Sequence, residues 1–224
     1  MVTIGIVGNG PEDMLPDLSL YKQKVDIWIG ADRGALILLK KGISVDYALG
    51  DFDSINKQEK QKIKNAATFY QQYPIEKDQT DIEITILKAF ELDPSCIYLF
   101  GVTGGRLDHE LINIQLLHSI VGRKIRGIII DQYNQLELTL PGHHKIEQND
   151  TYPNISFVPF TQTVKQLTLA GFYYPLHNQD ISWGSTLCIS NKLLSNSGNY
   201  SYVNGILLTI KSRDNISYPI PKMM

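Results

Sequence analysis

Cysteine is nearly absent. Cys96 and Cys188 are the only two in 224 residues, and they stand far apart in apolar runs. Such sparse usage favours free, buried thiols in a reducing cytoplasm over a disulfide framework. Long apolar runs are missing as well, with nothing close to the roughly 18–20 consecutive residues of a membrane span. The opening Met1-Val-Thr-Ile-Gly-Ile-Val-Gly8 is apolar but lacks a basic lead and soon meets Asn9, Pro11 and Glu12, so it reads as a first buried strand and not as a secretory signal. Positive charge is not in excess: 21 Lys and Arg stand against 23 Asp and Glu, a formal charge of −2. That excludes the cationic surface on which phosphate-backbone affinity depends. With 43% hydrophobic and 20% charged residues, disorder is excluded too, and the length allows one large domain or two small ones.

Several catalytic signatures are also lacking. No Gly-X4-Gly-Lys-Ser/Thr occurs, which removes a Walker-type phosphate loop, and Gly8-Asn9-Gly10 runs into Pro11, Glu12 and Asp13, which breaks the dinucleotide fingerprint. His109-Glu110 has Asn113 where a zinc protease needs its second histidine, and the histidines show no metal-ligand spacing. No Gly-X-Ser-X-Gly elbow is present, and Asp51-Phe52 lacks the glycine and the remaining set of a protein kinase.

What is present changes character near residue 135. Before it, apolar β-branched runs at Thr3–Val7, Val25–Ile29, Tyr47–Leu49, Cys96–Phe100 and Ile125–Ile130 alternate with helix-length segments at Gly34–Lys41, Lys57–Ala67, Thr80–Leu92 and Asp108–Val121. Runs that are apolar throughout fit parallel strands covered on both faces, joined by right-handed crossovers. In the last helix Leu107, Leu111, Ile114, Leu117 and Val121 predict one buried stripe, and Gly122 predicts its stop. After residue 135 the helical period vanishes. Short strand-like runs at Leu136–Leu140, Ile155–Pro159, Val164–Leu169, Thr186–Ile189 and Gly205–Lys211 alternate with Pro, Gly, Asn and Asp, which suggests an antiparallel sandwich or partial barrel. The expected division is an α/β domain over residues 1–134 and an all-β domain over 135–224.

Acids and glycines collect just after the predicted strands of the first half: Asp32 after Gly30-Ala31, Asp51-Phe52-Asp53-Ser54 after Gly50, and Gly101-Val102-Thr103-Gly104-Gly105-Arg106-Leu107-Asp108 after Phe100. In an open parallel sheet those ends form the ligand crevice. Asp51 and Asp53 form a pair that can meet one divalent cation, and magnesium binds through one or two carboxylates plus substrate phosphates. A loop aspartate that merely caps a turn is the competing reading. In Glu76-Lys77-Asp78-Gln79-Thr80-Asp81, Asp78 reads as a helix N-cap with Asp81 complementing the dipole, or as part of a metal–phosphate site. Lys77 favours the second reading, since the positive end of a helix disfavours a cation. Gly104-Gly105-Arg106 has the make-up of a phosphate cradle. The residues point to a magnesium-dependent enzyme acting on a phosphorylated, nucleotide-like substrate, without naming the acceptor.

Gly30-Ala31-Asp32-Arg33-Gly34-Ala35, Gly50-Asp51-Phe52-Asp53-Ser54, Glu76-Lys77-Asp78-Gln79-Thr80-Asp81 and Gly101-Val102-Thr103-Gly104-Gly105-Arg106-Leu107-Asp108-His109, in that order, resemble thiamine pyrophosphokinase of the bacterial type. In the second half, Ser190-Asn191 resembles the family's Ser-Asn pair, although Lys192 stands where an acid is usual, and Gly205–Asp214 resembles its closing strand. The resemblance implies an α/β domain followed by a β-sandwich, a cytoplasmic homodimer with active sites at the subunit interface, and transfer of a pyrophosphoryl group from ATP to thiamine with release of AMP. It implies that Asp51, Asp53 and Asp78 hold one or two Mg²⁺ ions, and that Lys77 and Arg106 neutralise charge around the transferred phosphate and departing AMP. Asp108 would orient thiamine or accept its hydroxyl proton. Asp81 either backs the ligands or only complements the helix end. Asn9, Asp32 and the Thr103-Gly104-Gly105 turn would line the nucleotide, with Ser190, Asn191 and Trp183 facing thiamine, the indole offering its π-face to the thiazolium. Two rivals are a magnesium-dependent glycosyltransferase using a nucleotide sugar and a non-catalytic thiamine or nucleotide sensor. Retention of every acid in these segments counts against the sensor.

Overall fold

The structure, a computed structural model, describes residues 1–215, and the chain divides into two compact units, Met1–Gln132 and Tyr133–Met224. In the first, strands β1 (Val2–Val7), β2 (Ile27–Ala31), β3 (Tyr47–Gly50), β4 (Phe69–Gln72), β5 (Pro94–Phe100) and β6 (Arg126–Ile130) alternate with helices α1 (Arg33–Lys40), α2 (Lys57–Ala66), α3 (Asp81–Phe90) and α4 (Leu107–Gly122). The strands lie in the order β4-β3-β2-β1-β5-β6 and every pairing is parallel. A row of fully buried side chains crosses the sheet, Ile29 beside Ile6, Ile6 beside Leu99 and Leu99 beside Ile129, as expected where helices cover both faces. Chain order runs outward in one direction from β1 through β4 and in the other from β5 to β6. The reversal between β1 and β5 opens a crevice at the carboxyl ends of the strands.

Two details of α4 differ from the sequence reading. Its buried face is Asn113, Leu117 and Ile120, while Leu107 and Leu111 are exposed. The helix carries apolar residues on more than one face; Leu117 and Ile120 are the ones buried, and beside them Asn113 Nδ2 donates to the Val102 carbonyl at 2.8 Å in a buried contact. Gly122 is the last helical residue and not the stop; the left-handed residue is Lys124, at φ 62°.

The second unit contains β7 (Asn134–Thr139), β8 (Gly142–Glu147), β9 (Asn154–Pro159), β10 (Thr163–Ala170), β11 (Leu176–Ser182), β12 (Ser197–Tyr202) and β13 (Leu207–Ser212). They form antiparallel ladders in the orders β7-β13-β9 and β11-β10-β12-β8. Phe157, Val164, Leu167, Phe172, Tyr200 and Leu207 pack into one core drawn from both ladders, with Phe172 edge-on to Phe157 at 5.5 Å. The fold is thus a parallel-sheet α/β unit followed by an antiparallel β-sandwich. The predicted strand at Thr186–Ile189 is a turn, closed by Ile189 N donating to the Thr186 carbonyl at 3.3 Å. Its apolar look comes from Leu187, Cys188 and Ile189, of which only Cys188 is buried.

Candidate active site

The site grows from the end of β3. Phe52 sits at φ 56°, a left-handed conformation a non-glycine residue adopts only when held there. It is buried and stacks on Tyr70 of β4, ring centroids 4.8 Å apart. That reversal lets Asp53 N donate to Asp51 Oδ1 at 3.1 Å, a side-chain turn that draws the two acids together. Asp32, between β2 and α1, has φ 52°; its backbone N donates to the Leu49 carbonyl at 2.8 Å and its Oδ2 accepts from Ser54 Oγ at 2.5 Å. Asp32, Asp51 and Asp53 offer carboxylate oxygens within 4.8 Å of one another. Asp32 is 5% exposed, and its buried Oδ1 has no hydrogen-bond partner.

Lys77 answers this charge. Its Nζ lies 2.8 Å from Asp51 Oδ2 and 3.1 Å from Asp81 Oδ1, and both lysine and Asp51 side chains are almost enclosed, 13% and 10% exposed. Burial pushes the Asp51 carboxyl up, but Lys77 and the Asp53 N–H outweigh it and the acid sits below its usual range. Burial likewise pulls Lys77 down, and its bonds to Asp51 and Asp81 carry it above the ordinary lysine value. Asp53 is raised, first by the Asp51 charge, then by burial and Asp32. Asp81 is raised chiefly by burial, against the pull of Lys77. Carboxylates crowded in this way favour a divalent cation, which lowers the cost of keeping all of them ionised.

Asp78 is not part of this arrangement. It is exposed and outside the three-carboxylate group among the described residues. Nor is it the cap of α3, because Thr80 Oγ1 accepts from Glu83 N at 3.2 Å and Asp81 opens the helix. The acid that joins Asp51 and Asp53 is Asp32, which the sequence reading had put against the nucleotide.

After β5, Thr103 Oγ1 donates to Asp131 Oδ2 at 2.8 Å with both residues buried. Gly104, at φ 83°, is left-handed, and its N–H donates to Glu110 Oε2 at 3.0 Å. That backbone amide is thus already taken by a carboxylate of the chain itself. Gly105 is exposed, as is Asn9, which precedes the bond from Gly10 N to the Gly101 carbonyl at 2.7 Å. Arg106 forks onto Asp108, Nε to Oδ1 at 3.1 Å and Nη2 to Oδ2 at 2.6 Å. That pairing holds Asp108 below the usual carboxylate range, and both side chains are exposed.

In the second unit, Trp183 is exposed, with Nε1 donating to the Phe160 carbonyl at 3.4 Å. Ser190 is exposed at φ 58°, its N–H held by Ser156 Oγ at 2.9 Å. Asn191 is 2% exposed. Its Oδ1 accepts from Tyr174 N at 3.0 Å and Lys192 N at 2.9 Å, and its Nδ2 donates to the Tyr174 carbonyl at 2.8 Å. Beside them a cleft of about 430 Å³ is lined by Asn154, Tyr173, Tyr174, Ser190, Lys192 and Asp214. Sequence reasoning gave no role to Ser54, Tyr70, Glu110 or Asp131. Only Asp131 carried a usable signal, as an acid directly after a predicted strand.

A family model described as the thiamin pyrophosphokinase catalytic domain matches residues 18–129, and one described as the thiamin pyrophosphokinase vitamin B1 binding domain matches residues 143–207. A curated thiamine pyrophosphokinase of Bacillus subtilis is 46% identical over 214 residues, covering 96% of this chain and 100% of the relative. A crystal structure of thiamine pyrophosphokinase from the same organism superposes with a TM-score of 0.90 at 46% identity, covering 95% of this chain and 99% of that one. One from Geobacillus thermodenitrificans gives 0.86 at 44% identity, covering 97% and 100%. The chain belongs to the thiamin pyrophosphokinase family.

Proposed function

We propose that the protein transfers a pyrophosphoryl group from ATP to the hydroxyl of thiamine, giving thiamine diphosphate and AMP, with magnesium as its metal. The observation that carries this reading beyond the family match is the meeting of Asp32, Asp51 and Asp53 within 4.8 Å, with a buried carboxylate oxygen of Asp32 that lacks a partner. Hard oxygen donors from two strand ends fit a magnesium ion that also carries substrate phosphates. When bound, the ion would neutralise triphosphate charge. The first unit serves as the nucleotide and metal domain, and the second as the thiamine and dimerisation domain.

The chain's own groups do the rest. Asp32, Asp51 and Asp53 hold the metal, and Asp78, exposed beside Lys77, stands at the rim. Lys77 and Arg106 place positive charge against the transferred phosphate and the departing AMP, the kind of fixed electrostatic stabilisation on which phosphoryl transfer depends most. The Thr103-Gly104-Gly105 turn and Asn9 line the nucleotide, and Asp108 orients thiamine or takes its hydroxyl proton. In the second unit Ser190 and Trp183 meet thiamine. Asn191, whose amide is taken up by Tyr174 and Lys192, acts by holding that wall in place.

The working form is a homodimer whose partner completes each site. Support comes from exposed apolar side chains in both units, Leu107, Leu111 and Ile112 on α4 and Tyr173, Tyr174 and Trp183 in the second, the kind of residue a subunit interface covers. Cytoplasmic residence accords with two free cysteines.

Incubating the protein with ATP, thiamine and Mg²⁺ should yield AMP and thiamine diphosphate in equal amounts. Release of UDP from a nucleotide sugar without AMP formation would refute the assignment, as would tight thiamine binding with no turnover. Asp51→Asn should lower turnover at least ~100-fold. Light scattering at micromolar protein should report twice the 25.3 kDa chain mass; a fully active monomer would end the dimer proposal.

A further inference from the structure

Lys77 sits at the one place where its charge competes with the metal. Its Nζ is 2.8 Å from an oxygen of Asp51, the acid that shares a 4.8 Å cluster with Asp32 and Asp53. It is also tied to Asp81 at 3.1 Å, and with only 13% of its side chain exposed it has little freedom to swing into solvent. A bare divalent cation approaching Asp51 meets an ammonium already on that carboxylate, and must displace it without offering it another anion. A cation that arrives on a triphosphate brings the replacement partner with it. We infer that Lys77 is a loading gate: it holds the carboxylates together and makes the site discriminate the metal–nucleotide complex from the free metal ion.

The inference rests on the metal reading proposed above and adds a selectivity to it. The geometry gives the gate its two halves. The bond to Asp51 must open for the ion, while the bond to Asp81, the first residue of α3, keeps the lysine within reach of phosphates in the crevice. Arginine at this position retains the charge but spreads it over a planar fork, whereas methionine keeps the length of the stem and removes the charge.

The test is binding, not turnover. Free Mn²⁺ is titrated by electron paramagnetic resonance into the wild-type protein and into Lys77→Met, Lys77→Arg and Asp51→Asn, each with and without a non-hydrolysable ATP analogue. The Lys77→Met protein should bind free Mn²⁺ about tenfold more tightly than wild type, as expected when a partly buried competing ion pair is removed. It should also lose most of the preference for Mn²⁺ presented on nucleotide, and Lys77→Arg should stay close to wild type. Because the lysine also relieves repulsion between Asp51 and Asp81, thermal denaturation is followed in parallel: Mn²⁺ should raise the midpoint of Lys77→Met more than that of wild type. Equal Mn²⁺ affinity in wild type and Lys77→Met, with Asp51→Asn abolishing metal–nucleotide binding, would overturn the gate and leave the metal site standing. Unchanged metal–nucleotide binding in Asp51→Asn would overturn the metal site itself.

Discussion

Tyr70 lays its ring on that of Phe52 with planes 18° apart, and Phe52 is the residue that separates two of the three clustered carboxylates. The stack fixes a left-handed residue in the middle of the Asp51–Asp53 turn, so a packing contact sets the geometry of a charged one. A phenylalanine at positive φ carries strain of about 1–2 kcal/mol, and its buried ring offsets that.

Phe52→Ala keeps the strain and removes the packing. Stability to urea should fall by about 3–5 kcal/mol, the usual range for a buried phenylalanine, and the Asp51→Asn phenotype should appear in weaker form. Tyr70→Phe, which retains the ring, should keep the stability of the turn. Wild-type stability and turnover in Phe52→Ala would show that the turn holds itself without the stack.

Gly34 is the second residue of the helix that follows Asp32, and a Cβ built there would lie 1.8 Å from the Val7 carbonyl oxygen. Backbone, not a movable side chain, blocks the space, so α1 must retreat from β1 to admit even alanine. Gly34→Ala should cost more than about 3 kcal/mol, beyond the ordinary overpacking range, and should shift Asp32 with it. A soluble Gly34→Ala protein with an unchanged melting temperature would contradict this.

The α/β half was legible because parallel strands are buried on both faces and read as continuous apolar runs, as in Ile27–Ala31 and Pro94–Phe100. Four strands escaped: β12, whose buried Tyr200 and Tyr202 stand among Ser, Gly and Asn, and three that bury little. β4 buries none of its residues, while β8 and β11, the outer strands of their ladder, bury one each, Ile146 and Ile181. Asp51 and Asp53 were legible as a pair, since only Phe52 stands between them. Asp78 lies outside the carboxylate group and Asp32 inside it among the described residues, because which loop acid reaches Asp51 depends on the backbone turn at Asp32, whose positive φ no residue type announces. Tyr70 was hidden for the same reason, as its role exists only through the register that places it opposite Ala48.

Cys188 gives a pH signature. Burial pushes its thiol up to about 11 from an ordinary value of 9.0. Below pH 9 both folded and unfolded chains keep the proton and the difference has no effect. Between 9 and 11 the unfolded chain releases it while the folded chain cannot, so stability falls as pH rises, by up to about 2–3 kcal/mol. Tyr202, raised to about 12 mainly by burial, continues the same trend. Denaturant midpoints measured from pH 8 to 10.5 should therefore decline, less steeply in Cys188→Ala, and the native thiol should resist thiol reagents at pH 8. An equal slope in both proteins would mean that Cys188 ionises freely in the fold.

Arg106 and Asp108 are paired side by side, so the guanidinium fork that would grip a phosphate is engaged by a carboxylate two residues away. Both are exposed, so the pair adds little to stability, and substitution should be read in kinetics. Arg106→Lys keeps the charge and loses the planar two-point contact; kcat/KM should drop roughly 10–100-fold while the melting temperature stays put. Asp108→Asn releases the fork without removing it, so KM for ATP should hold or fall. If Asp108 orients thiamine, the same variant should raise KM for thiamine. Opposite movement of the two KM values separates the roles of neighbouring residues that a loss of activity alone would merge. A uniform fall in kcat with both KM values unchanged would assign Asp108 to proton acceptance instead.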